Sequence, residues 1–140
     1  AVAAAIGKDR VGLRLSPHNT YNGQAPYDDA LAQYLAVARG VRGIAYLHLV
    51  ATPDPAAAAT RAAIRATFEG PVILNGGLDQ ASAEAAITSG LADLASFGRP
   101  FIANPDLVRR MQRGTPLAAP NPATFYTPGP EGYLDYPAAT

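Results

Sequence analysis

A glycine pair and a glycine–arginine pair carry the clearest chemical signal in this chain. Gly76-Gly77 follows the apolar run PVIL, and Gly98-Arg99 follows LASF. Glycine lets backbone N–H groups come close to an anion, and a helix N-terminus adds partial positive charge. Arg99 adds a forked cation suited to phosphate. Asn75 stands beside the first pair. Together these residues predict a phosphate site built from the ends of two consecutive strand–turn–helix units.

Arg14 is the second signal. In VGLRLS, alternation puts Val11, Leu13 and Leu15 on one face and Gly12, Arg14 and Ser16 on the other. The apolar set is expected to face covering helices, which turns Arg14 inward. A buried arginine is costly unless something anionic or polar answers it. An internal ion pair with a carboxylate from elsewhere is one such answer. His48, inside the apolar run IAYLHLV, reads as a structural residue. His18, in the polar loop PHNTYNGQAP, either touches a ligand or is solvated. Neither has histidines or acidic residues at metal-ligand spacing, so no metal is expected.

The elements that must position these residues alternate strictly. Strands are expected near 11–16, 44–50, 71–75 and 92–97. A helix over 1–6 ends at Gly7. A second helix over 27–39 puts Tyr27, Leu31, Tyr34, Leu35 and Ala38 on one stripe. A third runs from Ala56 to near Phe68, with Ile64 and Phe68 facing inward. A fourth over 79–89 has Ala83, Ala86 and Ile87 on one stripe and Gly90 as its stop. The last has Asn104 as cap, Pro105 first, then Leu107, Val108 and Met111, and ends at Gly114 and Pro116. Strand then helix, four times, indicates an α/β fold with a parallel sheet. A complete (β/α)8 barrel takes about 250 residues, and its phosphate site often follows the seventh and eighth strands. The chain has 140 residues, so residues 1–116 are expected to be the C-terminal half of such a barrel. Residues 117–140 are rich in proline and glycine yet hold Phe125, Tyr126, Tyr133 and Tyr136, too aromatic for a disordered tail. They are expected to be an ordered segment near the active-site face, with Tyr133 and Tyr136 gluing it down.

Composition narrows the classes. Eleven basic and eleven acidic side chains give no net charge, so nothing suggests nucleic acid or an acidic membrane as partner. There is no cysteine, hence no disulfide and no thiolate metal site. No apolar run approaches the roughly 18 residues of a membrane span. The first residues lack the basic region of a signal peptide. A soluble, cytoplasmic protein is expected.

Five segments, in order, carry a resemblance. They are VGLRLSP at 11–17, YLHLV at 46–50, ILNGG at 73–77, FGRPFIANPDLVRR at 97–110, and TFY with EGYLDYP at 124–126 and 131–137. The chain resembles the C-terminal half of the Old Yellow Enzyme family, the FMN-dependent ene reductases. The resemblance implies a TIM barrel and a reaction that oxidises NADH or NADPH and reduces activated alkenes, α,β-unsaturated carbonyls and nitro compounds among them. It implies that Arg14 reaches the N1 and C2-carbonyl edge of the flavin. It also implies that Gly76, Gly77, Gly98 and Arg99, with Asn75 beside them, hold the FMN phosphate. Phe125 resembles an aromatic near the flavin, and Tyr126 one in the substrate pocket. His18 falls where relatives often have an aromatic and a glycine, and is a weaker substrate contact. Ala51 replaces a Glu found in many members.

The family's proton donor and the pair that anchors the substrate belong to the N-terminal half, so no catalytic residue is assigned here. The chain starts as if inside a helix. A complementary N-terminal half, on another chain or fragment, is therefore expected to close the barrel, with the break in or beside the helix before Val11. Alone, the chain is expected to be colourless and aggregated, molten or dimeric. The alternative is a half-barrel that binds phosphate or acts as a scaffold without redox chemistry.

Overall fold

The computed structural model describes residues 1–25, 27–52 and 54–139. Pro26, the expected end of the polar loop, Pro53 of the loop after the second strand, and Thr140 of the tail lie outside the described residues. The chain forms two compact units, Ala1–Ser96 and Phe97–Thr140.

The first unit runs α1 (Val2–Ile6), β1 (Gly12–Leu15), α2 (Ala30–Gly40), β2 (Tyr46–Val50), α3 (Pro55–Thr67), β3 (Val72–Asn75), α4 (Gln80–Thr88) and β4 (Leu94–Ser96). The strands make one parallel sheet in the order β1-β2-β3-β4. Each neighbour is reached by a crossover helix, as parallel pairing requires. Arg14 stands opposite His48, and Asn75 opposite Ser96.

Period two sorts the sheet's faces. Leu47, Leu49, Val72 and Leu74 are buried with Ala38 of α2, Ile64 of α3 and Ala86 of α4. Fully burying one such large aliphatic side chain is worth about 1.5–3 kcal/mol. The other face carries Gly12, Arg14, Tyr46, His48, Val50, Ile73, Asn75, Leu94 and Ser96. The Tyr46 ring lies over Gly12, where a Cβ would push it aside.

The helices are set by their caps. Asp54 accepts from Ala56 N at 2.8 Å with Pro55 at the first position of α3. Asp79 and Ser82 form a capping box on α4, with Ser82 N to Asp79 Oδ1 at 2.8 Å and Asp79 N to Ser82 Oγ at 3.0 Å. Arg65 ties α3 to the sheet by pairing with Asp93 at 2.7 Å. Asp93 in turn accepts from Val72 N at 2.8 Å, and this bond, with Arg65, holds its carboxyl below the usual range.

Two expectations about the helices of this unit differ from the structure. α2 starts at Ala30 instead of 27, and the Asp29 side chain makes no capping bond; Tyr27 and Leu31 stay 47% and 45% exposed. Ile87, expected on the apolar stripe of α4, is exposed. Arg61 of α3 has Nε and Nη1 buried with no hydrogen-bond partner among the described residues, and burial pushes its pKa down.

The second unit contains α5 (Arg99–Ala103), α6 (Leu107–Arg113) and a 3-10 turn at Pro122–Thr124. Asn104 does not cap α6 with its side chain. It is fully buried; its Nδ2 donates to Pro100 O at 2.8 Å and Ala118 O at 3.0 Å, and its Oδ1 accepts from Ala118 N at 2.8 Å. The cap position falls to Asp106, and Val108 of the expected apolar face is exposed. Gly114 ends α6 in the left-handed region, φ 64°. The tail is pinned to α6 by a buried pair. Asp106 meets Arg110 at 2.8 Å and accepts from Ala139 N at 2.9 Å. Arg110 donates to Pro116 O at 3.1 Å and Pro137 O at 2.9 Å. The Tyr136 hydroxyl accepts from Asn121 N at 2.8 Å. Tyr133, expected to glue the tail, is 79% exposed and adds no packing. Among the described residues no helix is long and apolar enough to cross a membrane.

Candidate functional site

The sheet face away from the helices gathers the polar residues of the first unit. Arg14 of β1 places Nη1 at 3.1 Å from His48 Nδ1 and 3.2 Å from Nε2. Its Nη2 donates to Asn75 Oδ1 at 3.1 Å. Asn75 Nδ2 donates to Ser96 O at 2.9 Å. His48 Nε2 lies 2.8 Å from Ser96 Oγ. One residue from each of four neighbouring strands thus enters a single network. The sheet register makes this possible, because side chains of adjacent parallel strands lie side by side on one face.

Arg14 is exposed on this face, and among the described residues it makes no ion pair with a carboxylate, one of the two answers the sequence had left open. Its answering groups are neutral: an imidazole and a carboxamide. Among the described residues Nη2 donates to Asn75 and Nη1 lies against the imidazole, leaving donors for an acceptor above the sheet. Burial first, then the Arg14 charge, holds the His48 imidazole below its ordinary value of 6.5.

β3 runs into Gly76, whose φ is 103°. A Cβ there would lie 2.6 Å from Ala51 O, so the turn requires glycine on both counts. Gly77 follows, also with positive φ. Asn75, the residue before this glycine pair, divides its amide between Arg14 and Ser96. In the second unit, Gly98 is the N-cap residue of α5 and Arg99 its first residue; Arg99 is exposed. Phe125 and Tyr126 pack edge to face, with ring centroids 6.4 Å apart and planes at 86°, and Tyr126 is 90% exposed.

His18 is neither simply solvated nor free. Its Nε2 lies 2.9 Å from Oγ1 of Thr60 on α3, a residue that is 2% exposed. It is the one non-glycine with positive φ among the described residues, 57°. With Ser16, Asn19, Gln24, Tyr27 and Tyr34 it lines a cavity of about 340 Å³. Tyr34 donates to Ser16 O at 3.2 Å, and burial together with Tyr27 pushes its hydroxyl up to about 12. No group of three or more His, Cys, Asp or Glu among the described residues could hold a metal ion.

The structure brings Arg14 and Asn75 together, as two members of the predicted set. Sequence reasoning missed His48 and Ser96 as members of the network. The signal was available in the pairing. Once the two strands run parallel in this register, Arg14 and His48 are direct neighbours on one face.

The sequence profile of the NADH:flavin oxidoreductase / NADH oxidase family matches residues 1–118. A probable flavin mononucleotide-dependent alkene reductase from Leishmania infantum is 44% identical over 98% of this chain and 38% of its own length. Among solved structures, morphinone reductase in complex with tetrahydroNAD matches with TM-score 0.87 and 38% identity, covering 99% of this chain and 38% of that one. The old yellow enzyme from Trypanosoma cruzi matches with TM-score 0.88 and 36% identity, again over 38% of its chain. The chain therefore spans about two fifths of the length of the relatives it matches. Its α/β fold is the C-terminal half of a (β/α)8 barrel.

Proposed function

The chain belongs to the NADH:flavin oxidoreductase / NADH oxidase family, and on that premise we propose that it supplies the FMN-binding half of an NAD(P)H-dependent alkene reductase. The single observation that carries this reading is the Arg14 network. A guanidinium with N–H groups left over among the described residues stands on edge strand β1, on the face that a closed barrel would turn inward, held by His48 and Asn75. That donor set fits a ring edge with a carbonyl and a basic nitrogen.

When bound, FMN would accept hydride from the nicotinamide and pass it to the β-carbon of an activated alkene. Arg14 would hold the flavin's pyrimidine edge and favour negative charge there. The Gly76 and Gly77 amides, and separately Gly98 with Arg99, would bind the phosphate; a guanidinium–phosphate bond is charge-assisted and correspondingly strong. Phe125 would border the flavin, and Tyr126 and His18 the substrate. No proton donor is assigned to this chain.

The rest of the barrel would come from a complementary N-terminal half. Two observations support this: β1 and β4 each have one sheet neighbour, and the relatives are more than twice as long. The test is an anaerobic assay of the barrel assembled from this chain and that half. NAD(P)H oxidation that depends on an α,β-unsaturated carbonyl and on FMN is expected. An assembled, FMN-loaded barrel that reduces no activated alkene would leave the chain as a flavin- or phosphate-binding scaffold.

A further inference from the structure

The flavin reading uses Gly98 and Arg99 of FGRPFIANPDLVRR and leaves the rest of that stretch without a task. Three of its other side chains hold the chain that follows. Arg110 is 8% exposed. Its Nη1 donates to Pro116 O at 3.1 Å and its Nη2 to Pro137 O at 2.9 Å. One guanidinium therefore grips both ends of the segment 117–136. Arg110 Nε meets Asp106 Oδ1 at 2.8 Å, and Asp106 Oδ2 accepts from Ala139 N at 2.9 Å. Asn104 accepts from Ala118 N and donates to Ala118 O. Farther in, Asn121 N donates to the Tyr136 hydroxyl at 2.8 Å, and Gly132, at φ 72°, lies against the Thr124 side chain. Apart from Gly132, no residue of 117–136 is buried. With no core of its own, the segment is kept closed by these hydrogen bonds, in the manner of a compact surface loop whose ends meet. It displays Tyr126, 90% exposed, with the Phe125 ring edge to face against it.

We propose that Arg110, braced by Asp106, is the positioning residue that holds the 117–136 loop closed and so sets Tyr126 as a wall of the substrate pocket. This rests on the reading of Tyr126 as a substrate contact. The planar fork suits arginine to the task. A carbonyl from each end of the loop accepts from a different nitrogen of one rigid group, which fixes the separation of the two ends. The Asp106 carboxylate answers the buried charge, as a buried cation requires. Closing a loop costs entropy. Where the fold has already closed it, substrate need not order it, and less affinity is lost on binding. An open loop lowers the fraction of barrels with the wall in place, and apparent affinity falls by that fraction.

The experiment uses the assembled, FMN-loaded barrel and two enones, 2-cyclohexenone and a bulkier, ring-substituted cyclohexenone. The kcat/KM is measured for each, and amide hydrogen exchange at Asn121 is followed in the flavin-free barrel. Tyr126→Ala should shift the ratio of the two kcat/KM values toward the bulky enone. Arg110→Met should shift the ratio the same way, roughly threefold, the scale of one neutral hydrogen bond. It should also speed exchange at Asn121 about tenfold, the scale of a hydrogen bond to a charged group. In the Tyr126→Ala background, Arg110→Met should still speed exchange and leave the ratio where it is. Tyr136→Phe removes the acceptor for Asn121 N, leaves the Asp106–Arg110 pair untouched, and should move both readouts by less. Faster exchange in Arg110→Met with the wild-type ratio would overturn the proposal, because the arginine would then hold the tail and do nothing for the pocket. Unchanged exchange would overturn it as well. Should Arg110→Met not fold, a wild-type ratio with faster exchange in Tyr136→Phe decides against the proposal. A wild-type ratio in Tyr126→Ala itself would instead overturn the substrate reading beneath it.

Discussion

Arg14 and Arg99 are both arginines assigned to one cofactor, yet their replacement should be distinguishable. Arg14 sits beside the group whose charge changes on reduction, so Arg14→Met should weaken FMN and also lower its midpoint potential. Arg99→Ala should weaken FMN by a similar amount, about 1.5–3 kcal/mol for a bond to a charged group, and leave the potential in place. Binding titrations with spectroelectrochemistry on the assembled barrel separate the two; equal potentials in wild type and Arg14→Met would count against its placement. His48 adds a pH signature to stability. Its folded pKa lies below the ordinary 6.5, so below that pH the unfolded chain takes up a proton that the folded chain refuses. Stability is then complete above about 6.5 and falls as pH drops from there toward the folded value, where the slope ends. Denaturant titrations of FMN-free protein should show this acid-side loss in wild type and less of it in His48→Gln. At this scale the sequence was partly legible. Alternation put Arg14 on the face opposite Leu13 and Leu15. It could not say that the face is exposed, or that the answering groups are His48 and Asn75, because those contacts span 34 and 61 residues and depend on register.

Among the elements, the four strands, their parallel order and most of the helices follow from periodicity and stops, and they occur where those signals are strongest. The departures have local causes. Asn104 has the right type and position for a cap, but burial makes its amide worth more across the second unit, where it holds Ala118. Ile87 lies at the edge of the α4 stripe and is exposed; single-face periodicity does not reveal how wide a covering layer is. Arg61 points to a testable cost. A guanidinium with two buried nitrogens that find no partner among the described residues loses hydration without recompense, and an apolar side chain of similar length does not. Arg61→Met should therefore stabilise the assembled barrel by about 1–3 kcal/mol, read as a higher denaturant midpoint. A lower midpoint would mean that Arg61 has an answering group after all.

For the molecule as a whole, a half-barrel poses a question of completeness. Four parallel strands with helices on one face leave an inward face bearing Tyr46 at 39% and Leu94 at 53% exposure, together with the Arg14 network. Edge strands invite pairing, and a family fold more than twice this length supplies what would pair. The half-barrel was legible because four βα units are about half of eight, whereas the division of the chain into units at 96 and 97 was not, since no composition change marks it. On the proposed reading, these residues bind FMN as part of a completed barrel. The visible absorption spectrum of purified protein, taken for this chain alone and for the chain co-expressed with a complementary N-terminal half, tests it most directly. A colourless preparation is expected from the chain alone, and a yellow complex with FMN in proportion to barrel, diminished by Arg14→Met, from the co-expressed halves. A monomeric, well-folded and FMN-loaded product from the 140 residues alone, or an assembled barrel without flavin, would contradict it.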